Sequence, residues 1–203
     1  MYQEAYKKLE LEEVALILDR FNPEFEGSVF DPVETTILAQ DLSFYPGCKL
    51  FDISDHSITP MRRRFIVQGP DDYFVINFSN EPIYKFNQKI PIQLNANTIA
   101  DYVRFFFTYV RGRHGRFLIV ENVDDLNWRD DPPPSARKAV SELIDPLILE
   151  KEDKDAFYLR GCMMFKDSLF KSLIKVESDG MVSLHEEELL VEDMPVLDDV
   201  FGQ

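Results

Sequence analysis

One stretch, residues 98–121 (TIADYVRFFFTYVRGRHGRFLIVE), restricts the possible folds more than any other part of the chain. In its first half Ile99, Val103, Phe106 and Val110 recur at helical intervals, and Tyr102, Phe105 and Tyr109 form a second stripe beside them. Two apolar stripes require two packing partners, a sheet on one side and a second helix or long loop on the other. The remaining ribbon is Asp101, Arg104, Thr108 and Arg111, with Asp101 and Arg104 one turn apart and able to pair. Asn97 or Thr98 is placed to cap this helix, and Gly112 to end it in a left-handed conformation. After a basic turn, Phe117 to Val120 is apolar at every position, which predicts a strand covered on both faces in the middle of the sheet. Helix and strand together are expected to be interior scaffold, with Phe106 and Ile119 out of solvent.

The rest of the chain reads in segments around that scaffold. Residues 3–20 carry Tyr6, Leu9, Val14, Ile17 and Leu18 at helical spacing, ended by Asn22-Pro23. Residues 24–46 form an irregular wrapping segment with plugging aromatics, and residues 32–39 within it read as a short helix. After Pro46-Gly47, apolar runs at residues 50–53, 63–67, 73–78 and 83–86, separated by turn residues, predict four antiparallel strands. The stretch 122–134, with Trp128 and three consecutive prolines, reads as a rigid connector in which Trp128 is an anchor. Ser135 is placed to cap a helix through about Leu149, with Ala139, Val140, Leu143, Ile144 and Leu147 as its stripe, kinked or ended at Pro146. Residues 157–165 read as a strand, and Asp179-Gly180 marks a tight hairpin. Residues 168–175 fit strand or helix, and the hairpin beside them favours strand.

The fold class expected is therefore α+β: an antiparallel sheet packed on a central helix, with a smaller β-rich C-terminal subdomain. The expected divisions are residues 1–47, 48–121, 122–134 and 135–203, the last ending in an acidic tail.

Charge and cysteine content narrow the function classes. With 22 Lys and Arg against 37 Asp and Glu the net charge is -15, a field that repels nucleic acid and anionic lipid alike. Cys48 and Cys162 are the only cysteines, too few for a disulfide framework or a cysteine metal site, and they predict a reducing, cytoplasmic setting. The opening MYQEAYKKLELEE lacks a signal peptide's apolar core, and no run is long enough for a membrane span.

Few residues are arranged for chemistry. The sharpest motif is Asn80-Glu81-Pro82 after the run Phe74-Val-Ile-Asn-Phe-Ser. It is similar to the Asn-Glu-Pro element in which barrel-type glycoside hydrolases carry their general acid. The resemblance implies Glu81 as acid and Glu121, which follows the Phe117 run, as nucleophile or base. Such barrels alternate eight strands and helices over about 250 residues, whereas this chain offers consecutive strands. A second candidate is the cluster Arg111, Arg113, His114 and Arg116 around Gly112 and Gly115, where side chains and glycine amides offer a site for a small anion. As structure alone, the same arginines suit a helix C-terminus. His56 lies near Asp52 and Asp55 but has no second histidine at ligand spacing, so no metal site and no cofactor are predicted. No Lys or Arg occurs after Lys175, whereas Glu186, Glu187, Glu188, Glu192, Asp193, Asp198 and Asp199 do, a margin that a basic partner or the molecule's own arginine turn can dock. The leading expectation is a non-enzymatic protein that binds another protein or a second copy of itself.

Overall fold

The structure, a computed structural model, describes residues 6–25, 27 and 29–197. The chain divides into two compact units at Asn77/Phe78. Among the described residues two antiparallel sheets and four α-helices make it an α+β protein.

In the N-terminal unit, β1 (Lys7–Lys8), β2 (Thr35–Asp41), β3 (Lys49–Asp55), β4 (Arg62–Gln68) and β5 (Tyr73–Val75) pair in chain order. Helix α1 (Leu11–Phe21) packs Val14, Leu18 and Phe21 with Ile37, Ala39, Phe51, Ile53 and Ile66 of the sheet. The wrapping segment inserts Phe25 and Phe30 into the same core, their rings edge to face at 5.3 Å. Asn22 closes that loop, its side chain donating to the Phe30 carbonyl and accepting from the Phe30 amide.

Three expectations for this unit are corrected. The first helix starts at Leu11, not near residue 3: Lys7 and Lys8 pair with Ala39 and Leu38, and the Leu9 amide donates to Ile37, so β2 captures this backbone before the helix begins. Residues 3–5 of that reading lie outside the described residues. Residues 35–39 are strand, because β-branched Thr35, Thr36 and Ile37 favour extended backbone and pair with β3, and Leu38 and Ala39 pair with β1 as well. The strand expected over residues 73–78 stops at Val75, and Phe78 takes a positive φ of 62°.

The C-terminal unit holds α2 (Glu81–Lys89), α3 (Ile99–Tyr109), β6 (Phe117–Val120), α3's neighbour in space, then α4 (Pro134–Ser141), β7 (Ile148–Glu152), β8 (Ala156–Phe165), β9 (Ser168–Glu177) and β10 (Val182–Val191). The sheet runs β10, β9, β8, β6, and β7 shares the β6 side of β8. Residues 168–175 are strand, and the hairpin at Asp179-Gly180 joins β9 to β10.

Helix α3 has the two apolar faces its spacing requires, with Ile99, Tyr102, Val103, Phe105, Phe106, Phe107 and Tyr109 all buried. The Tyr102 hydroxyl donates to the Gly180 carbonyl at 2.6 Å, Asn87 donates to the Asp179 carbonyl at 3.0 Å, and the Val182 amide donates to the Tyr84 hydroxyl at 3.2 Å. These three bonds fasten the hairpin tip to α2 and α3. Gly180 has φ +86°, and a Cβ there would collide with Asn87 Nδ2 and lie 2.8 Å from the Tyr102 hydroxyl, so the turn needs glycine. A second core places Val120, Cys162, Met164 and Leu169 with Leu126, Met194 and Val196. Trp128 packs at its margin, donating from Nε1 to the Val123 carbonyl and bridging Val196 through its backbone.

Residues 83–86 are helix, not strand: Pro82 occupies the first turn, where a missing N–H is harmless, Glu81 lies at the positive end of the dipole, and Ile83 and Phe86 form the buried side. The α3 helix ends with Val110 extended, and Gly112 is not left-handed; it bridges Gly115. Helix α4 begins after Pro133 and stops at Ser141, with Ala139 exposed; Leu147 is buried and Ile148 starts β7 on β8. Strand β6 is not the middle of its sheet, since among the described residues it pairs only with β8. Leu118 and Val120 meet the second core, and α3 lies against the same strand. Its continuous apolarity reports layers above and below, not neighbours on both sides.

Candidate functional site

Glu81, Glu121, the arginine cluster and the acidic run after Lys175 fall in the C-terminal unit, and Asp52, Asp55 and His56 in the N-terminal one. Glu121 follows β6 and accepts from Arg104 Nε and Nη2, both at 2.8 Å, while Arg104 Nη1 reaches Asp101 at 3.1 Å. The Leu147 amide adds a bond to Glu121 at 3.3 Å. Burial would raise the Glu121 carboxyl, but the Arg104 hydrogen bonds and charge and the Leu147 N–H outweigh it and hold the group below its ordinary value. Glu81 pairs with Lys85 at 2.6 Å on a side chain 67% exposed. Its hydrogen bond and attraction to Lys85 lower its carboxyl as well. A general acid in glycoside hydrolysis needs a raised carboxyl, and both of these are held ionised by a cation.

The arginine cluster is a tight turn. Gly112 and Gly115 bond to each other in both directions, amide to carbonyl, at 2.9 and 3.3 Å. Their amides are therefore engaged with each other and do not form an anion nest. Arg113 and His114 stand exposed at the tip, whereas Arg111 and Arg116 are half-buried. The Arg111 guanidinium lies 4.1 Å from the centroid of the Phe78 ring, and its amide donates to the Phe78 carbonyl at 2.9 Å. Below the turn, Phe117 stacks on Phe165 at 4.5 Å, with Lys166 Nζ 5.5 Å from the Phe165 centroid. Arg116 and Lys166 also border a pocket of about 20 Å³ with Leu118, Asp125, Asn127 and Met164, room for about one water.

The opposite margin is β10, ten residues long and last in its sheet. Ser183 and His185 to Leu189 are exposed. The register slips between His185 and Glu188 and again between Leu189 and Val191, and Glu186 takes φ 46°. Glu186 reaches Arg160 on β8, which also holds Glu150 at 2.6 Å. Glu187 and Glu188 are exposed on the strand, and Glu192 and Asp193 follow where the chain leaves it. A bulged, acidic edge resists pairing with a like edge. The sequence shows the carboxylates; that they lie on a free sheet margin follows from strand order, which no local pattern reports.

In the N-terminal unit Asp52 receives a two-pronged ion pair from Arg63, with the Asp52 side chain only 4% exposed. Asp55 accepts from the amide and hydroxyl of Ser57. These two carboxylates beside His56 are thus engaged by protein donors. Among the described residues no group of three His, Cys, Asp or Glu is placed to hold a metal ion, and no helix is long and apolar enough to cross a membrane. No protein-family model matches the chain, and no curated protein or solved structure does either.

Proposed function

We propose that the protein is a non-enzymatic binding protein of the cytoplasm that docks another polypeptide along β10. The observation that carries this reading is the outer margin of β10, which beyond the Val182 amide held by Tyr84 pairs with no strand among the described residues and whose exposed side chains include Glu187 and Glu188. Such a margin accepts an extended segment by main-chain hydrogen bonds, and the carboxylates select a basic one. Free, buried thiols at Cys48 and Cys162 fit a reducing compartment.

The small-anion reading keeps a narrower support in Arg116 and Lys166, which share a pocket with room for one water-sized group. The hydrolase reading loses support because Glu121 is committed to Arg104 and Glu81 to Lys85.

The test is binding of a labelled, lysine-rich extended peptide, followed by fluorescence anisotropy at about 0.1 M salt. Glu187→Lys with Glu188→Lys is expected to weaken it about tenfold or more. Equal affinity for the variant, or for a glutamate-rich peptide of the same length, would remove the reading.

A further inference from the structure

The C-terminal sheet has two unlike margins. On one side stands β10, followed by Glu192 and Asp193; on the other stands β6, preceded by the Arg113-His114 turn, with Arg116 and Lys166 beside it. Three strand spacings, about 15 Å, separate them, and they face opposite ways in the plane of the sheet. The basic margin therefore cannot reach the acidic margin of its own sheet. We infer that it docks on the β10 margin of a second copy, so that the sheets continue head to tail; this rests on the reading of β10 as a docking edge.

Direction and register both allow it. Every pairing from β6 through β8 and β9 to β10 is antiparallel, so β6 and β10 run in opposite directions. A second copy placed in line presents its β10 antiparallel to β6, like every other pair in the sheet. Following the rungs, Leu118 is level with Met164, Leu169 and Val191, and Val120 with Cys162, Lys171 and Glu188. The turn that precedes Phe117 is then level with Glu192 and Asp193, which follow Val191. Arginines and carboxylates come to the same end of the junction. At the other end of β10 the residues from Val182 to His185 carry no carboxylate, so the complementarity is confined to the β6 end.

The symmetric alternatives are disfavoured by charge. Two β10 margins would oppose Glu188 and Glu192 with like charges, and two basic turns would do the same. A head-to-tail contact of two different patches is open-ended unless its rotation closes a ring. The net charge of -15 opposes any association, but at about 0.1 M salt repulsion is largely screened beyond about 10 Å, whereas contact pairs are not.

The experiment is sedimentation velocity of the whole chain across a concentration series at about 0.1 M salt. The wild type is expected to associate with rising concentration, Arg113→Glu and Glu192→Arg each to weaken this about tenfold, and the two together to restore it. Circular dichroism and thermal melting of each variant confirm folding, and Glu12→Arg on the N-terminal helix is the control for net charge. A wild type that stays monomeric, or a double variant no better than the singles, overturns the head-to-tail contact. If such a protein still binds the lysine-rich peptide at β10, the broader reading stands; if it binds neither, both fall.

Discussion

In the N-terminal unit the sheet ends in β1, two residues long, on one side and β5, three residues long, on the other. In the C-terminal unit β6 and β7 end one side, and on the other β10, ten residues long, has no further strand beside it among the described residues. Both sheets are antiparallel and five-stranded, so the difference lies in the margins. Short margins are a common way to prevent edge-to-edge pairing; a long one must be blunted by bulges and charge or used. The bulges and glutamates of β10 exclude a like edge but leave a basic segment welcome, which is why this margin carries the functional proposal. The ion pairs differ as well. In the first unit a buried Asp52, 4% exposed, meets an Arg63 that is 45% exposed, whereas Arg104, Glu121 and Asp101 are all partly buried beside a sheet edge.

The largest expected effect lies in the unit with the closed sheet. Arg63→Ala removes the two-pronged donor of the buried Asp52 carboxylate and should cost about 3 kcal/mol in urea unfolding; a loss below that of Arg104→Ala would break the contrast between the pairs. Gly180→Ala comes next, at about 2–3 kcal/mol, from a positive φ and the collision with Asn87. Its sharper readout is hydrogen exchange, which should rise in β9 and β10 and not in β2 to β4. Arg104→Ala follows at about 2 kcal/mol, because Glu121, 17% exposed, keeps the Leu147 amide. The pH dependence is part of that prediction. Glu121 is held below its ordinary value when folded, so its contribution is complete above about pH 4.5 and lost as pH falls through the lower folded value. Arg104→Ala should flatten that segment of the stability curve, and an unchanged slope would assign it to other carboxylates. The smallest effect is Glu187→Lys, within about 0.5 kcal/mol of wild type, since the side chain is exposed on an edge. A large loss there would make the β10 carboxylates structural.

Much of this fold was legible where spacing alone determined the element. Helix α3, the β8 and β9 strands and the hairpin at Gly180 follow from apolar periodicity and turn chemistry, and the Asp101 to Arg104 pair from residues one turn apart. Misreadings occurred where distant backbone settled the outcome. Lys7 and Lys8 became strand because β2 offered a partner thirty residues on, and residues 83–86, read as a strand, follow a Pro82 that opens a helix. The site was less legible than the fold. Arg104 and Glu121 are seventeen residues apart and meet only once β6 lies on α3. The Gly112 and Gly115 amides, free in any reading of the sequence, are engaged by each other. The open margin of β10 is a property of strand order and not of any residue in it.

Amide hydrogen exchange along β10, with and without the lysine-rich peptide, tests most directly whether this margin is where the protein meets its partner. The expected result is slowed exchange of alternate amides between Val182 and Val191, with β1 and β5 unchanged. Protection at β1 or β5 instead, or none on β10 at saturating peptide, would contradict it.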